Sequence, residues 1–557
     1  MALNKIIGGP KGIYNFEVTD NINSLLDSGL TLPSLASAIA FVESGGLSVG
    51  GAISTIEYHA GTGIGGGSYR LVDAGSSDAR PIDDGGSVNH AKGGSGGLYL
   101  KGLFVNDVVT LENFGYNPTL NASDFITPAR DYLSSLSVGL NAIKSLTLAG
   151  EYVFNTKYIL TGALHLKSLN ATIKTANDDF AIQVGVTAGS AGFLNTDGTL
   201  NFTNDGASVG GGFLGEHGSI VATSLIAQDL EGRVLDCLTT QNKINNSSVN
   251  FIKCTNSGGV RLEVTGTRGS MEIEVVVYHS SNSKTESLIV KNTTDSAVVN
   301  AVCDTESGLG LNAISIDNVS GCSFGTLWGT SPDARGCVIS GNSFTGSNAN
   351  YLNHFNSIGS TDSALPISID AKLCRFDFIR VTRSKAGSVI FGVNAGQLSV
   401  GLIAISDGSS VTGSTSLVID SVQPIDIQTI AADSATDLAA IKMAGGNKTT
   451  IGTIQSSQAL GTASNVVWET GSRPQSLINC QDPDYIFKGS SNNTVITATS
   501  SFFNVPHGLS ATPTIYNVNA RNGTSAIITT TANASNIQVT FAANQANPQF
   551  SWSAQLF

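Results

Sequence analysis

VRLEV at 260, LIVKN at 288, ISIDN at 314, VISGN at 338, ISIDA at 367, VIFGV at 389, LVIDS at 417, IKMAG at 441 and VVWET at 466 follow one another at intervals of 28, 26, 24, 29, 22, 28, 24 and 25 residues. Each carries apolar residues at alternate positions, the period of a strand with one buried face. Several units continue into a second short strand, as in CSFGTL at 322, CRFDFI at 374, PIDIQTI at 424 and TTIGTI at 449. A unit of two or three short strands cannot enclose a core, so successive units must stack and bury their inward side chains in one continuous column. The periods vary and the turns lack a repeating Gly-Asp calcium signature. The reading is therefore an all-β chain built on an irregular right-handed parallel β-helix with loops of unequal length. A leucine-rich repeat would need a regular Leu and Asn ladder, and a propeller a longer, four-stranded period.

Composition agrees outward from that core. The 557 residues are 41% hydrophobic and 13% charged, with 63 Gly against 13 Pro, a vocabulary of short strands and tight turns with room for a large core. A formal charge of -13 opposes nucleic acid or an anionic membrane as partner, and an acidic polysaccharide would need a local basic pocket. No run approaches the roughly 20 apolar residues of a membrane span. The start MALNKIIGGPKG has no apolar signal-peptide core, so synthesis in a cytoplasm, without membrane insertion, is expected. Cys237, Cys254, Cys303, Cys322, Cys337, Cys374 and Cys480 have no C-x-x-C spacing and fall mostly in apolar strand patterns; they read as buried free thiols, and no metal or cofactor is expected.

Three regions are expected. Residues 1–100 form a small N-terminal region, helix-like over 21–50 and Gly-rich after it. Residues 101–484 form the β-helix, with a capping helix near 122–135. Residues 485–557 alternate more cleanly, as in TPTIYNVNARN and NIQVTFA, and read as an antiparallel β-sandwich.

Three stretches resemble bacteriophage tailspikes of the pectate-lyase-like superfamily. They are IEYHAGTGIGGGSYRLVDAGSSDARPIDDGGSV (56–88), then VTLENFGYNPTLNASDFITPARDYL (109–133) with LTLAGEYVF (146–154) and TGALHLKSLNATI (161–173), and finally VPHGLSATPTIYNVNA (505–520). The second departs from the family pattern at NPTLNASD, where its Asp-Gly and Asp-Asp positions are lost. The resemblance implies a homotrimer whose N-terminal region joins a virion tail or baseplate protein and whose C-terminal sandwich trimerises or binds carbohydrate. It implies a virion tail protein, made in the host cytoplasm, that acts at the outer surface of the host cell. There it would bind and depolymerise a bacterial surface polysaccharide: capsule, exopolysaccharide or O-antigen. An endo-glycosidase comes ahead of a lyase, an esterase stays open, and a non-catalytic receptor-binding fibre for the same polysaccharides is the alternative. Catalytic carboxylates differ in place among these tailspikes, so no residue role is carried over.

Glycosidic cleavage asks for two carboxyl groups, one giving a proton to the leaving oxygen and one activating water or attacking, at about 5 to 9.5 Å. Equivalent positions in successive coils lie about 4.8 Å apart. The outward position after the first strand holds Glu263, Lys291, Asp317, Gly341, Asp370, Gly392 and Asp420. Asp317 and Asp370 are thus expected to face the same way two coils apart, with Gly341 leaving room between them. On the second strand Phe376 and Phe378 are expected inward, turning Arg375 and Asp377 outward. Asp333 and Arg335 lie on the turn TSPDARG, His354 on a long connection, and Trp328 offers a ring face for a sugar. Lys372, Arg375, Arg380, Arg383 and Lys385 form a basic run suited to an acidic sugar. The candidate catalytic residues are Asp317, Asp370, Asp377 and Asp333, and the candidate substrate-binding residues Trp328, Arg335, His354, Arg375 and Arg380. An Asp after a strand also caps turns, and a basic run also serves as a solvated face or a subunit contact. Upstream, NTDG at 195, Asp205 and Glu216-His217-Gly218 resemble polygalacturonase motifs, yet they fall within 24 residues, and one coil cannot stack its own residues. There is no H-E-x-x-H and no P-loop.

Overall fold

The computed structural model describes residues 30–456 apart from 74–82, 91–96, 105–107, 137–144, 187–189, 241–242, 267–268, 342–352, 385–387, 407–414, 422, 433–437 and 444–448, together with individual strands on either side of that span. The chain divides into two compact units, residues 1–184, 192–210 and 221–224, and residues 185–191, 211–220 and 225–557. Coils of a right-handed parallel β-helix occur in each.

In the first unit, strands Thr31–Ser34, Ala52–Glu57, Ser68–Asp73, Leu98–Gly102 and Val88–His90 form one sheet in that order. Helix Leu35–Glu43 starts where the Ser34 hydroxyl accepts the Ser37 N–H at 3.3 Å, satisfying one of the orphan donors of a first turn. Its apolar side meets the sheet through Leu35, Ala38, Val42, Ile53, Tyr69, Leu71 and Leu100. Within the described part of the helix-like pattern over 21–50 the helix covers only Leu35–Glu43, because Thr31–Ser34 is a strand paired with Ala52–Glu57; residues 21–29 lie outside the described residues. Further on, helix Ser123–Leu136 precedes the first coils. Strand Leu146–Leu148 pairs in parallel with Gly162–Ser168, and Glu151–Phe154 with Ala171–Thr175. The buried Tyr116 of the NFGY stretch ties its loop to these coils: its hydroxyl donates to Glu151 O at 2.9 Å and accepts from Val153 N at 2.7 Å.

In the second unit two strand columns repeat, coil after coil. The first includes Arg233–Thr239, Gly258–Val264, Leu288–Lys291, Ile314–Asp317, Arg335–Gly341, Leu365–Ala371 and Ser388–Phe391. The second includes Ser247–Thr255, Ile273–Ser283, Ala297–Thr305, Ser323–Thr330, Asn353–Thr361, Cys374–Thr382 and Leu398–Ser406. All of these neighbours pair in parallel, with one register shift, between Ser280 and Ser283, among the second-column pairs. Val260, Leu288, Ile314, Cys337, Ile367 and Val389 stack as one inward row of the first column. Under the second column Phe324, Phe355 and Phe376 stack with centroids 4.7 and 4.8 Å apart, which matches the spacing of neighbouring strands and makes one ring per coil the natural filling.

The turns follow from left-handed backbone. Asp229, Asn256 and Asn282 have φ of 54, 48 and 56°, a region that Asn and Asp tolerate better than most side chains. Their side chains also ladder: Asn256 Nδ2 donates to Asp229 Oδ1 at 3.3 Å, and Asn282 Nδ2 to Asn256 Oδ1 at 2.7 Å. The six cysteines among the described side chains are buried and free; the side chain of Cys480 lies outside them. Toward the C-terminus Ser500–Pro506 and Ile527–Ala532 each pair antiparallel with Asn536–Gln545, and Ile515–Ala520 pairs antiparallel with Phe550–Gln555.

Three details differ from the reading of the sequence. Ile314 pairs with Cys337, not Val338, so Ser340 rather than Gly341 stands between Asp317 and Asp370; a buried cysteine serves as the inward residue. Phe378 is only partly buried, and Ile379 is the next inward residue after Phe376. Each second-column strand bends there, so its inward residues are three apart instead of two. His354 lies in strand Asn353–Thr361, not in a connection, with the buried Phe355 and Ile358 supplying the inward face.

Candidate functional site

The bend divides the outward surface of the second column into two rows of interest. Before it, Ser323, His354 and Arg375 are register partners on successive coils, carried directly beside the inward phenylalanine stack. Asp377 sits at the bend, where His354 Nε2 lies 2.9 Å from its Oδ2 and Arg375 Nε donates to its Oδ1 at 2.8 Å. The Arg375 and His354 hydrogen bonds hold the Asp377 carboxyl below the usual carboxylate range. The side chains of His354, Asp377 and Arg375 are 37, 40 and 57% exposed, so this is an ionised carboxylate that a large ligand can reach.

Beyond the bend, Trp328, Gly359 and Arg380 are register partners. The Arg380 guanidinium lies 5.8 Å from the Trp328 ring centroid, within cation–π range. Two residues further, Asp304 pairs with Thr330 across neighbouring strands. Burial pushes the Asp304 carboxyl up, the Thr330 hydroxyl and nearby His279 oppose this, and the Asp362 carboxylate adds to it. Asp362 is bound by Arg383 Nη2 at 2.7 Å. Asp304 escaped the sequence reading, since nothing in VVNAVCDTES separates it from other strand-end acids; the only available signal was its place two residues beyond the outward Val302.

The remaining candidates lie on the first column or its turns. Asp317 faces outward and accepts from Ser340 Oγ at 2.9 Å. Asp370 follows two coils on, where it caps the next turn: Oδ1 accepts Asn394 N at 2.7 Å and Oδ2 accepts Asn394 Nδ2 at 2.9 Å. A Cβ on Gly392 would lie 2.4 Å from Asp370 Oδ1, so glycine there gives the carboxylate its path. Asp333 Oδ2 accepts the Gly308 N–H. Arg335 begins its strand with Nη1 buried and unpartnered among the described residues, and burial pulls its guanidinium below the usual range. The structure thus brings His354, Arg375, Asp377, Trp328 and Arg380 onto one column, and places Asp317, Asp333, Asp370 and Arg335 apart from them. Asp205 accepts from the Ala207 and Ser208 N–H groups of its own turn, each at 3.0 Å. Lys385 lies outside the described residues. Among the described residues no group of His, Cys, Asp and Glu is arranged to hold a metal ion, and no helix is long and apolar enough to cross a membrane.

The fold and site define a parallel β-helix protein with ionic and aromatic groups displayed on one strand column. No family model and no curated protein matches the sequence. Among solved structures the chain is similar to the enzymatically active domain of tailspike protein 4 of bacteriophage CBA120, at 13% identity over 99% of this chain and 79% of that one, with a TM-score of 0.41. It is similar to the corresponding domain of tailspike protein 2 of the same phage, at 13% identity, 96% and 82% coverage and a TM-score of 0.40. It is also similar to a tailspike protein of Acinetobacter baumannii bacteriophage Fri1, described as a capsular polysaccharide depolymerase, at 10% identity, 94% and 97% coverage and a TM-score of 0.37.

Proposed function

We propose that the chain is a tailspike subunit that binds and depolymerises a bacterial surface polysaccharide on the second strand column. The observation that carries this reading is the accessible Asp377 carboxylate, kept ionised by Arg375 and His354, on the same strand as an arginine set beside an indole. An ionised carboxylate can activate water or attack a glycosidic carbon, and His354, hydrogen-bonded to it, is placed to move a proton. Trp328 and Arg380 lie about 10 Å further along the strand, at about 3.3 Å per residue, where they would hold another part of an extended glycan. Asp317, Asp333 and Asp370 stay in the proposal as the carboxylates against which Asp377 is tested, and Arg335 as a binding residue of the first column.

The proposal extends to assembly and place. Three copies would associate, residues 1–100 would join a tail or baseplate protein, and residues 485–557 would trimerise or bind carbohydrate. The whole would be made in the host cytoplasm and act from the virion tail at the outer surface of the host. Ile289, Val338, Ile390 and Val418 point outward from the first column and are partly exposed, in a register row where Ser315 and Ser368 alternate with them; this uncharged row is the face on which another copy would pack.

Incubation with capsular and lipopolysaccharide preparations from a strain panel tests the reading, following reducing ends together with the ultraviolet absorbance of unsaturated uronates. Reducing ends alone mean a hydrolase, and both signals a lyase. Binding to a preparation without any cleavage means the non-cutting receptor-binding fibre. A second reading has one observation in its favour: exposed Ser323 is the register neighbour of His354, which contacts Asp377, the serine–histidine–aspartate order of an esterase. Release of acetate without new reducing ends is its signature.

A further inference from the structure

Arg380 differs from the arginines around it. Arg375 is bound to Asp377 at 2.8 Å and Arg383 to Asp362 at 2.7 Å, whereas no described carboxylate lies within ion-pair distance of Arg380, and its contact is with the Trp328 ring. Its exposed guanidinium therefore keeps its charge and its fork of donors for a ligand. The ring beside it leans across the intervening coil: a Cβ on Gly359 would lie 2.2 Å from Trp328 Cε3 and 2.4 Å from Cζ3. The benzo edge thus occupies the space that any larger residue at 359 would fill, and Gly359 is buried beneath it. The same register row continues with Val302 on one side and Ala404 on the other, neither of which brings charge or bulk to the platform.

An aromatic ring binds the C–H face of a sugar, and a planar guanidinium matches the two oxygens of a carboxylate. We infer that Trp328, Gly359 and Arg380 form a subsite for an acidic sugar of uronic-acid type. The pyranose face rests on Trp328 and the sugar carboxylate lies in the fork of Arg380. Gly359 is a positioning residue, acting through the tilt of the ring. In a chain of net charge -13, this local unneutralised cation overcomes the general repulsion of an anionic glycan. The inference rests on the polysaccharide-binding reading and names the sugar class that reading leaves open.

Titration of the full chain with glucuronic acid, galacturonic acid and the methyl ester of each, followed by tryptophan emission, tests it, with Trp328→Phe identifying the responding ring. The acids are expected to half-saturate at about tenfold lower concentration than their esters, as one charge-assisted contact implies. Arg380→Gln should remove that preference while leaving ester binding and the melting temperature unchanged. Gly359→Ala should shift the emission and weaken acid and ester alike. Equal binding of acids and esters, a preference that survives Arg380→Gln, or no saturable change with either acid overturns the inference. Its failure is separable from that of the proposed function: cleavage with no acid preference removes the subsite alone, and acid preference with neither binding nor cleavage of any polysaccharide removes the function alone.

Discussion

The two strand columns of the second unit share one repeat, yet their outward carboxylates end differently. On the first column Asp236 is 3% exposed and takes a bidentate pair from Arg261, both bonds at 2.7 Å. Asp317 is held by Ser340, and Asp370 is used up by the backbone and side chain of Asn394. On the second column Asp377 stands at a bend, open to solvent, with its two partners drawn from side chains that are themselves exposed. Asp370, near the end of its strand, meets an N–H group of the next turn and becomes part of the scaffold, while Asp236 is spent in a buried pair with Arg261. Asp377, in the middle of a bent strand, meets side chains that are themselves exposed, and its remaining lone pairs stay open to a ligand.

The largest test of that contrast is a pair of substitutions. Asp377→Asn is expected to lower turnover of a susceptible polysaccharide by on the order of 10²–10⁴-fold with little change in melting temperature. Asp370→Asn is expected to do the reverse, keeping turnover but costing about 1–2 kcal/mol of stability by denaturant unfolding. Equal losses of turnover would erase the distinction between the columns.

Next in size, Phe355→Ala removes the middle ring of the inward stack and should cost about 3–5 kcal/mol, lowering the denaturant midpoint. Asp236→Ala should cost about 1.5–3 kcal/mol, since Arg261 loses both of its charge-assisted hydrogen bonds to Asp236 and keeps only the longer contact with Glu263 at 3.7 Å.

Smaller effects come from pH. The Asp377 carboxyl is depressed in the folded chain, so its contribution is present above the ordinary carboxylate pKa of about 3.9 and lost as pH falls through the folded value. Solvent screening keeps it small at 40% exposure. Asp304 has the opposite sign: its raised carboxyl means that ionisation penalises the fold at neutral pH, and the penalty vanishes below about pH 3.9. The stability difference between Asp304→Asn and the parent should therefore shift in the parent's favour as pH falls, measured by melts from pH 7 to pH 3. Smallest, Leu373 has φ of 55° at the turn position held elsewhere by Asp295, Gly321 and Gln397, and Leu373→Asn should stabilise by about 0.5–1 kcal/mol.

Much of this contrast could be read in the sequence, because apolar alternation encodes which residues point inward. It placed Asp317 and Asp370 on one face two coils apart, and Arg375 and Asp377 outward. What alternation cannot encode is a bend, where the inward spacing becomes three and Phe378 gives way to Ile379. Nor does it fix register to a single residue when a small, weakly apolar Cys337 competes with Val338 for the inward place. Whether a carboxylate is spent or available depends on neighbours about 25 residues away, such as Asn394 for Asp370, and those become neighbours only through the stacking of coils.

The most direct measurement is a structure of the Asp377→Asn protein with an oligosaccharide from a susceptible surface polysaccharide. The expected result is ligand along the second column, with one sugar beside His354 and the substituted side chain and another against Trp328 and Arg380. Ligand lying instead on the first column, over Asp317 and Asp370, would contradict the assignment of the site.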